Sequence, residues 1–353
     1  MKDTYTKWIL TTLLTALILP GIIAGINYFM DPLWCFSISH RYNQKQDDFN
    51  ERQQKTNRVT FRPFDYQGII IGTSTATTMS QKSFRGARIY NYAINGLSVA
   101  DYRHYVAYAR KRNGRGFTYL IIGLDFIFSA KRFPSSGLDP EKIFEDTRNP
   151  LYRLKTLISI DTFMLSRRNF MNYLYGRRIH YDRENIKHTG VITPEFQEQN
   201  MKHLLAHFEK SDQDYSFKNF TYNEGYRKLL EELRNDNAGS EIIPFTTPVV
   251  LEFMRLMVRN GLLDEYLRWI REIVEVYGAC YHFMYPNGVT ENYREYFNDP
   301  NHYYPVVSDM MVDFMFNGKP PALGDFGMRI DKNNLEERLV LLERLMKQAA
   351  GKR

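Results

Sequence analysis

Between Trp8 and Phe29 the chain carries no charged side chain and is built mostly of Ile, Leu, Ala and Gly. A helix rises about 1.5 Å per residue, so this run reaches across roughly 30 Å of hydrocarbon. Trp8 and Tyr28 stand at its two ends, where aromatic rings favour the headgroup level. Pro20-Gly21 is tolerable inside a membrane helix. Lys2 and Lys7 precede the run and Asp31 follows it, a bias that places the N-terminus in the cytoplasm and exports the rest of the chain; Arg41 and Lys45, close behind, make that bias modest. The competing readings are a cleaved signal peptide and a buried helix of a soluble protein. The run is longer than a usual signal core, and Asn27–Asp31 offers no small-x-small cleavage site, so the pattern favours an uncleaved anchor over residues 1–30.

Asp31-Pro32 breaks this helix. Residues 31–62 are polar and charged and read as a juxtamembrane connector. A domain over residues 63–330 follows, in which short apolar runs alternate with helical patterns. The runs Gly68–Ile71, Arg88–Tyr92, Phe117–Ile122, Glu241–Phe245 and Ala279–Phe283 read as five strands. Helices are expected at Ser98–Arg112, over Val250–Tyr277 with a break at Asn260-Gly261, and at Tyr304–Phe316. A C-terminal helix, Leu335–Ala350 behind the caps Asn333 and Asn334, occupies the final segment, 331–353. Residues 141–236 interrupt the alternation as a mostly helical insertion. The fold class expected is α/β, a doubly wound parallel sheet with a helical insertion and an N-terminal transmembrane helix. Ligands in such sheets bind at the carboxyl ends of the strands, so the insertion would form a lid or wall there.

Composition narrows the classes. With 353 residues, 25 Tyr and 24 Phe, the chain can build a large core and is not disordered. The net charge of +7 is scattered, and no motif supports nucleic-acid binding. The densest basic cluster, Arg167, Arg168, Arg177, Arg178, His180 and Arg183, reads as a solvated helical face or as a surface for anionic headgroups or an acidic glycan. Cys35 and Cys280 are too few and too distant for their pairing to be read. No Cys-His spacing suggests zinc, and the 14 methionines fall at core-like spacings, so neither metal nor cofactor is implied.

Two motifs carry chemistry. Gly72-Thr73-Ser74 follows the first strand, which places the serine at the rim of the sheet. Asp299-Pro300-Asn301-His302 lies in a polar loop before a late helix. Ser74 as nucleophile, His302 as base and Asp299 as its orienting carboxylate are the three parts of serine acyl-transfer chemistry. Decoys exist: Gly96-Leu97-Ser98 repeats the first pattern, and Asp101-Tyr102-Arg103-His104 repeats the second inside a helix. Context favours Ser74 and His302, with His104, His180 and His188 structural or exposed.

From about residue 65 to 317, the insertion excepted, the chain resembles the SGNH/GDSL hydrolase superfamily. Four blocks carry the resemblance in order: Gly72-Thr73-Ser74, Asn95-Gly96, Gly123-Leu124-Asp125 and Asp299 to His302. The layout resembles the membrane-anchored cell-envelope branch, which includes the proteins of lipoteichoic-acid D-alanylation and alginate O-acetylation. The resemblance implies a three-layer sandwich. It implies a serine esterase or O-acyltransferase at the outer face of the cytoplasmic membrane, with the domain on the extracytoplasmic side. Ser74, His302 and Asp299 would be its triad, and the backbone N–H groups of Ser74 and Gly96 would form an oxyanion hole. The partners implied are an acylated cell-surface glycan or lipid-linked polymer, membrane lipid along residues 8–29, and a membrane-bound O-acyltransferase. The third block departs from the family, because Asp125 stands where an asparagine normally donates to the oxyanion. Asp125 either turns away and braces its turn through neighbouring backbone N–H groups, or is protonated by burial, or impairs the site. In the last case the chain is a catalytically impaired scaffold that binds a glycan beside a membrane acyltransferase.

Overall fold

The computed structural model describes residues 2–47, 50–133, 137–210 and 216–351. The chain divides into two compact units, residues 1–64 with 141–188, and residues 65–140 with 189–353. Eight strands occur among the described residues: β1 (Gly68–Ile71), β2 (Ile89–Asn91), β3 (Tyr119–Leu124), β4 (Ile179–Tyr181), β5 (Lys187–Thr189), β6 (Glu241–Thr246), β7 (Ala279–His282) and β8 (Met328–Asp331).

The first unit is built on the helix Lys2–Met30, which is long and apolar enough to cross a membrane and whose apolar stretch is not buried by the protein. It stops where Asp31 turns to a left-handed conformation, φ 42°. The described residues of the expected connector, 31–47 and 50–62, are folded here into a packed unit that includes the helix Glu51–Phe61. The Asp31 carboxylate is buried against the Arg183 guanidinium and takes the Phe36 N–H at 3.1 Å. Burial pushes its pKa up against the pull of Arg183. Arg183 is therefore not part of a basic surface. Arg168 and Arg177 are also engaged, both reaching Asp47, at 3.3 and 2.9 Å.

Lys55 is fully buried over the ring of Tyr181, beside Glu51 and Lys187. Burial outweighs the attraction of Glu51 and lowers its pKa to about 7. The unfolded chain holds this proton up to about pH 10.5. Between the two values unfolding takes up a proton, so stability should rise with pH from about 7 to about 10. Thermal unfolding of the full chain in detergent at several pH values checks this, and Lys55→Met should flatten the rise. A wild-type melting temperature constant across that window would refute the assignment.

The second unit carries a six-stranded mixed α/β sheet in the order β2-β1-β3-β6-β7-β8. The first five strands are parallel, and β8 is antiparallel to β7. All five strands expected from the apolar runs form, the first with the expected bounds and the others with ends within two residues of those expected. The edge strand β8 and the hairpin β4–β5 were not expected. Gly261, at φ 77°, breaks the helical stretch into Leu251–Arg259 and Leu263–Tyr277. Register brings Ile71 opposite Ile122, and Leu124 opposite Thr246. The segments that leave β1, β3 and β6, carrying Ser74, Asp125 and Thr247, therefore emerge at one edge of the sheet. Cys35 and Cys280 are buried free thiols, one in each unit.

Candidate active site

Gly72 directly follows β1 and Gly123 is the penultimate residue of β3, and neither has room for a side chain. A Cβ on Gly72 would lie 2.7 Å from Ala76 Cβ, and one on Gly123 would lie 2.9 Å from the Phe245 ring. The glycines let the turn that follows β1 fold back tightly, Ala76 N–H donating to Thr73 O at 3.2 Å. Thr77 Oγ1 closes on Ser74 O at 2.6 Å, and Thr78 Oγ1 meets Ser308 Oγ at 3.0 Å. Ser74 is held half-exposed on this turn.

The second motif reaches it from a loop pinned at several points. Asn298 N–H donates to His302 O at 2.7 Å, and Val250 N–H to Pro300 O at 2.9 Å. Gln197, from a helix one hundred residues upstream, donates its amide to the carbonyl of Phe297. The buried Asp299 carboxylate takes the backbone N–H of Asn301 and of His302 at 3.1 and 2.9 Å, and its two oxygens lie 3.0 and 2.9 Å from His302 Nδ1. Burial raises the Asp299 pKa, but the His302 ring and these donors overcome it and hold the carboxyl below its ordinary range. His302 Nε2 lies 2.9 Å from Ser74 Oγ. Two motifs 228 residues apart thus form one hydrogen-bonded line, Ser74–His302–Asp299. With Nδ1–H given to the carboxylate, Nε2 is left to accept the serine proton.

Asp125 departs from its expected partners. Its side chain makes no bond to the N–H groups of its own turn. The buried carboxylate instead takes three threonine hydroxyls: Thr73, Thr247, and Thr75 at 3.0 Å. The partners come from the ends of β1 and β6, which flank β3 in the sheet. Burial raises the Asp125 pKa against the lowering effect of these hydroxyls and of His302.

Gly96 lies in the turn Ile94–Leu97, closed by Leu97 N–H on Ile94 O at 3.1 Å, with φ 62° at the glycine. Ile94 N–H still pairs with Gly72 O at 3.0 Å, so this turn leaves the sheet at the edge where Ser74 sits.

The decoys have other work. Ser98 caps the helix Val99–Asn113, accepting from Ala100 N–H at 3.3 Å and donating to Phe133 O at 2.8 Å. Asp101 and His104 sit within that helix. His180 stacks on His188 in the first unit. The fully buried His282 is held between Thr246 and Tyr266 at 2.8 Å each, and burial lowers its pKa to about 3, so it stays neutral.

No family model and no curated protein matches the chain. Ser74 borders a cavity of about 30 Å³ whose walls include Phe126, Phe128, Phe208, Phe253 and Met284, with Thr247 and Asn301 at its polar side. Asn301 was not singled out from sequence, although it lies between the two residues of its own motif. Among the described residues no cluster of three or more His, Cys, Asp or Glu is arranged to hold a metal.

Proposed function

We propose that the chain is a membrane-anchored serine ester hydrolase or O-acyltransferase of the SGNH/GDSL type. The observation that carries this reading is the Ser74 Oγ to His302 Nε2 contact at 2.9 Å, with Asp299 on the far ring nitrogen. His302 takes the hydroxyl proton as Ser74 Oγ attacks an ester carbonyl. The ester C–O bond breaks, and the alcohol leaves with the proton from His302. Water or a sugar hydroxyl then gives its proton to His302 and attacks the acyl-serine carbonyl; the acyl C–Oγ bond breaks, and Ser74 Oγ takes that proton back from His302. The backbone N–H groups of Ser74 and Gly96 stabilise the oxyanion. Asp125, occupied by three hydroxyls, supplies no donor, and a missing donor costs about 3 kcal/mol of transition-state stabilisation. The enzyme is therefore expected to be slow.

The uncharged helix behind Lys2 and Lys7 supports anchoring in the cytoplasmic membrane with the sheet unit on the extracytoplasmic side. There the substrate is an acyl ester on a cell-surface glycan or lipid-linked polymer, and a membrane-bound O-acyltransferase is the natural partner for a transfer reaction. The assembled triad favours a catalytic role over a scaffold that only holds a glycan.

The cavity beside Ser74 has room for only a few heavy atoms. The full chain in detergent should therefore cleave p-nitrophenyl acetate with a kcat/KM at least about tenfold above that for the octanoate, since each misplaced methylene costs about 1 kcal/mol or more. Phe208→Ala should narrow this preference. Equal rates for both esters in the wild type would remove the cavity from the acyl site, and no hydrolysis of either would count against the enzyme reading.

A further inference from the structure

The helix Ile160–Tyr175 is inside out. Its buried residues are Thr162, Ser166, Asn169 and Asn172, one polar stripe at helical spacing. Its exposed residues include Ile160, 67% exposed, Met164, 49%, Phe170 and Leu174. A surface helix in water shows the reverse pattern, because apolar groups gain by burial and buried polar groups need partners. Polar groups inward and apolar groups outward is the arrangement that suits a lipid surround. The preceding short helix, Tyr152–Ile158, repeats the pattern: Thr156 is its buried residue, while Leu154 and Ile158 are 55% and 52% exposed.

Both helices are fastened to the apolar N-terminal helix at one level. The buried Asn27 amide donates to the carbonyls of Leu157 and Ser159, at 2.8 and 3.0 Å, and Ser166 Oγ donates to Asn27 Oδ1 at 2.9 Å. Asn27 lies one turn before the helix ends at Met30, while its neighbours Tyr28 and Phe29 remain exposed. The junction Ile158–Ser159–Ile160 therefore sits within about 5 Å, along the helix axis, of the end of the apolar span. The exposed Asp161 and Arg167 on the same helix set its depth. They can reach water from a headgroup boundary but not from the hydrocarbon interior.

We propose that residues 151–175 form a second membrane contact, lying in the plane of the headgroup boundary of the bilayer that the N-terminal helix crosses. The apolar face is continuous with that helix, which is why the occupant is lipid. The full chain is placed in phosphatidylcholine–phosphatidylglycerol nanodiscs, with the fluorophore NBD on Ile160→Cys or, as a deep reference, on Leu19→Cys. Wild type measures background labelling of the buried Cys35 and Cys280. At 160 the emission should be blue-shifted, shielded from iodide, and quenched more by lipids with a nitroxide near the headgroup than by lipids with one near the chain end. At 19 the depth preference should reverse. Water-like emission and iodide quenching at 160 would overturn the proposal. Iodide shielding without lipid quenching would mean that protein covers this face, and would overturn it too. Failure of the Leu19 probe to report depth would remove the span on which the proposal rests.

Discussion

Ser74→Ala is expected to lower ester hydrolysis by the full chain at least about 10³-fold, with the melting temperature unchanged. The serine is half-exposed, so its hydroxyl contributes little to packing, whereas the proposed chemistry has no substitute for Oγ. His302→Ala should cost about as much. The double variant should be no worse than either single one, because a nucleophile and its base act as one unit. Asp299→Asn should also lose rate, by about 10²- to 10⁴-fold, since it spoils the tautomer and charge of His302 while leaving Ser74 in place. Steady-state rates of the four variants decide. Additive losses in the double variant would mean that Ser74 and His302 do not work through one proton transfer. Unchanged rates in Ser74→Ala would remove the site altogether.

Asp125 is expected to matter more for stability than for rate. Its carboxylate gathers hydroxyls from the ends of β1 and β6 onto the end of β3. Asp125→Ala strips three buried donors of their acceptor and should destabilise the fold by about 3 kcal/mol or more. Asp125→Asn keeps one acceptor oxygen, and a threonine hydroxyl can rotate to accept from the new amide. The order of stability should therefore be Asp, then Asn, then Ala, with hydrolysis by Asp125→Asn within about threefold of wild type or better, because the carboxylate gives the oxyanion nothing to lose. Denaturant unfolding and initial rates measure both. Wild-type stability in Asp125→Ala would show that the hydroxyl cluster holds nothing together. A hundredfold loss of rate in a folded Asp125→Asn would make the carboxylate a participant.

The parallel strands were legible because each is a short apolar run bounded by glycine, proline or polar residues. β8 was not, since Met328–Asp331 alternates apolar with charged residues at a sheet edge, and only its pairing with β7 marks it as strand. The hairpin β4–β5 is polar, and its turn depends on Asn185 adopting φ 67°, which few side chains accept. The meeting of Ser74 with His302 could be anticipated from motif order. The partners of Asp125 could not, because they lie 50 to 122 residues away and are chosen by strand order rather than by the local turn. The inward polar stripe of Ile160–Tyr175 was hidden for a related reason: helical spacing reveals two faces but not which of them the protein covers.

The proposed function requires Ser74 to be a nucleophile activated by His302. It is tested most directly by treating the full chain with an aryl fluorophosphonate and locating the adduct by peptide mass spectrometry. One phosphonylated residue, Ser74, is expected, with labelling lost in His302→Ala and retained in His104→Ala. A chain that takes no adduct at Ser74 under conditions that label a control serine esterase, or one that labels equally well without His302, would contradict it.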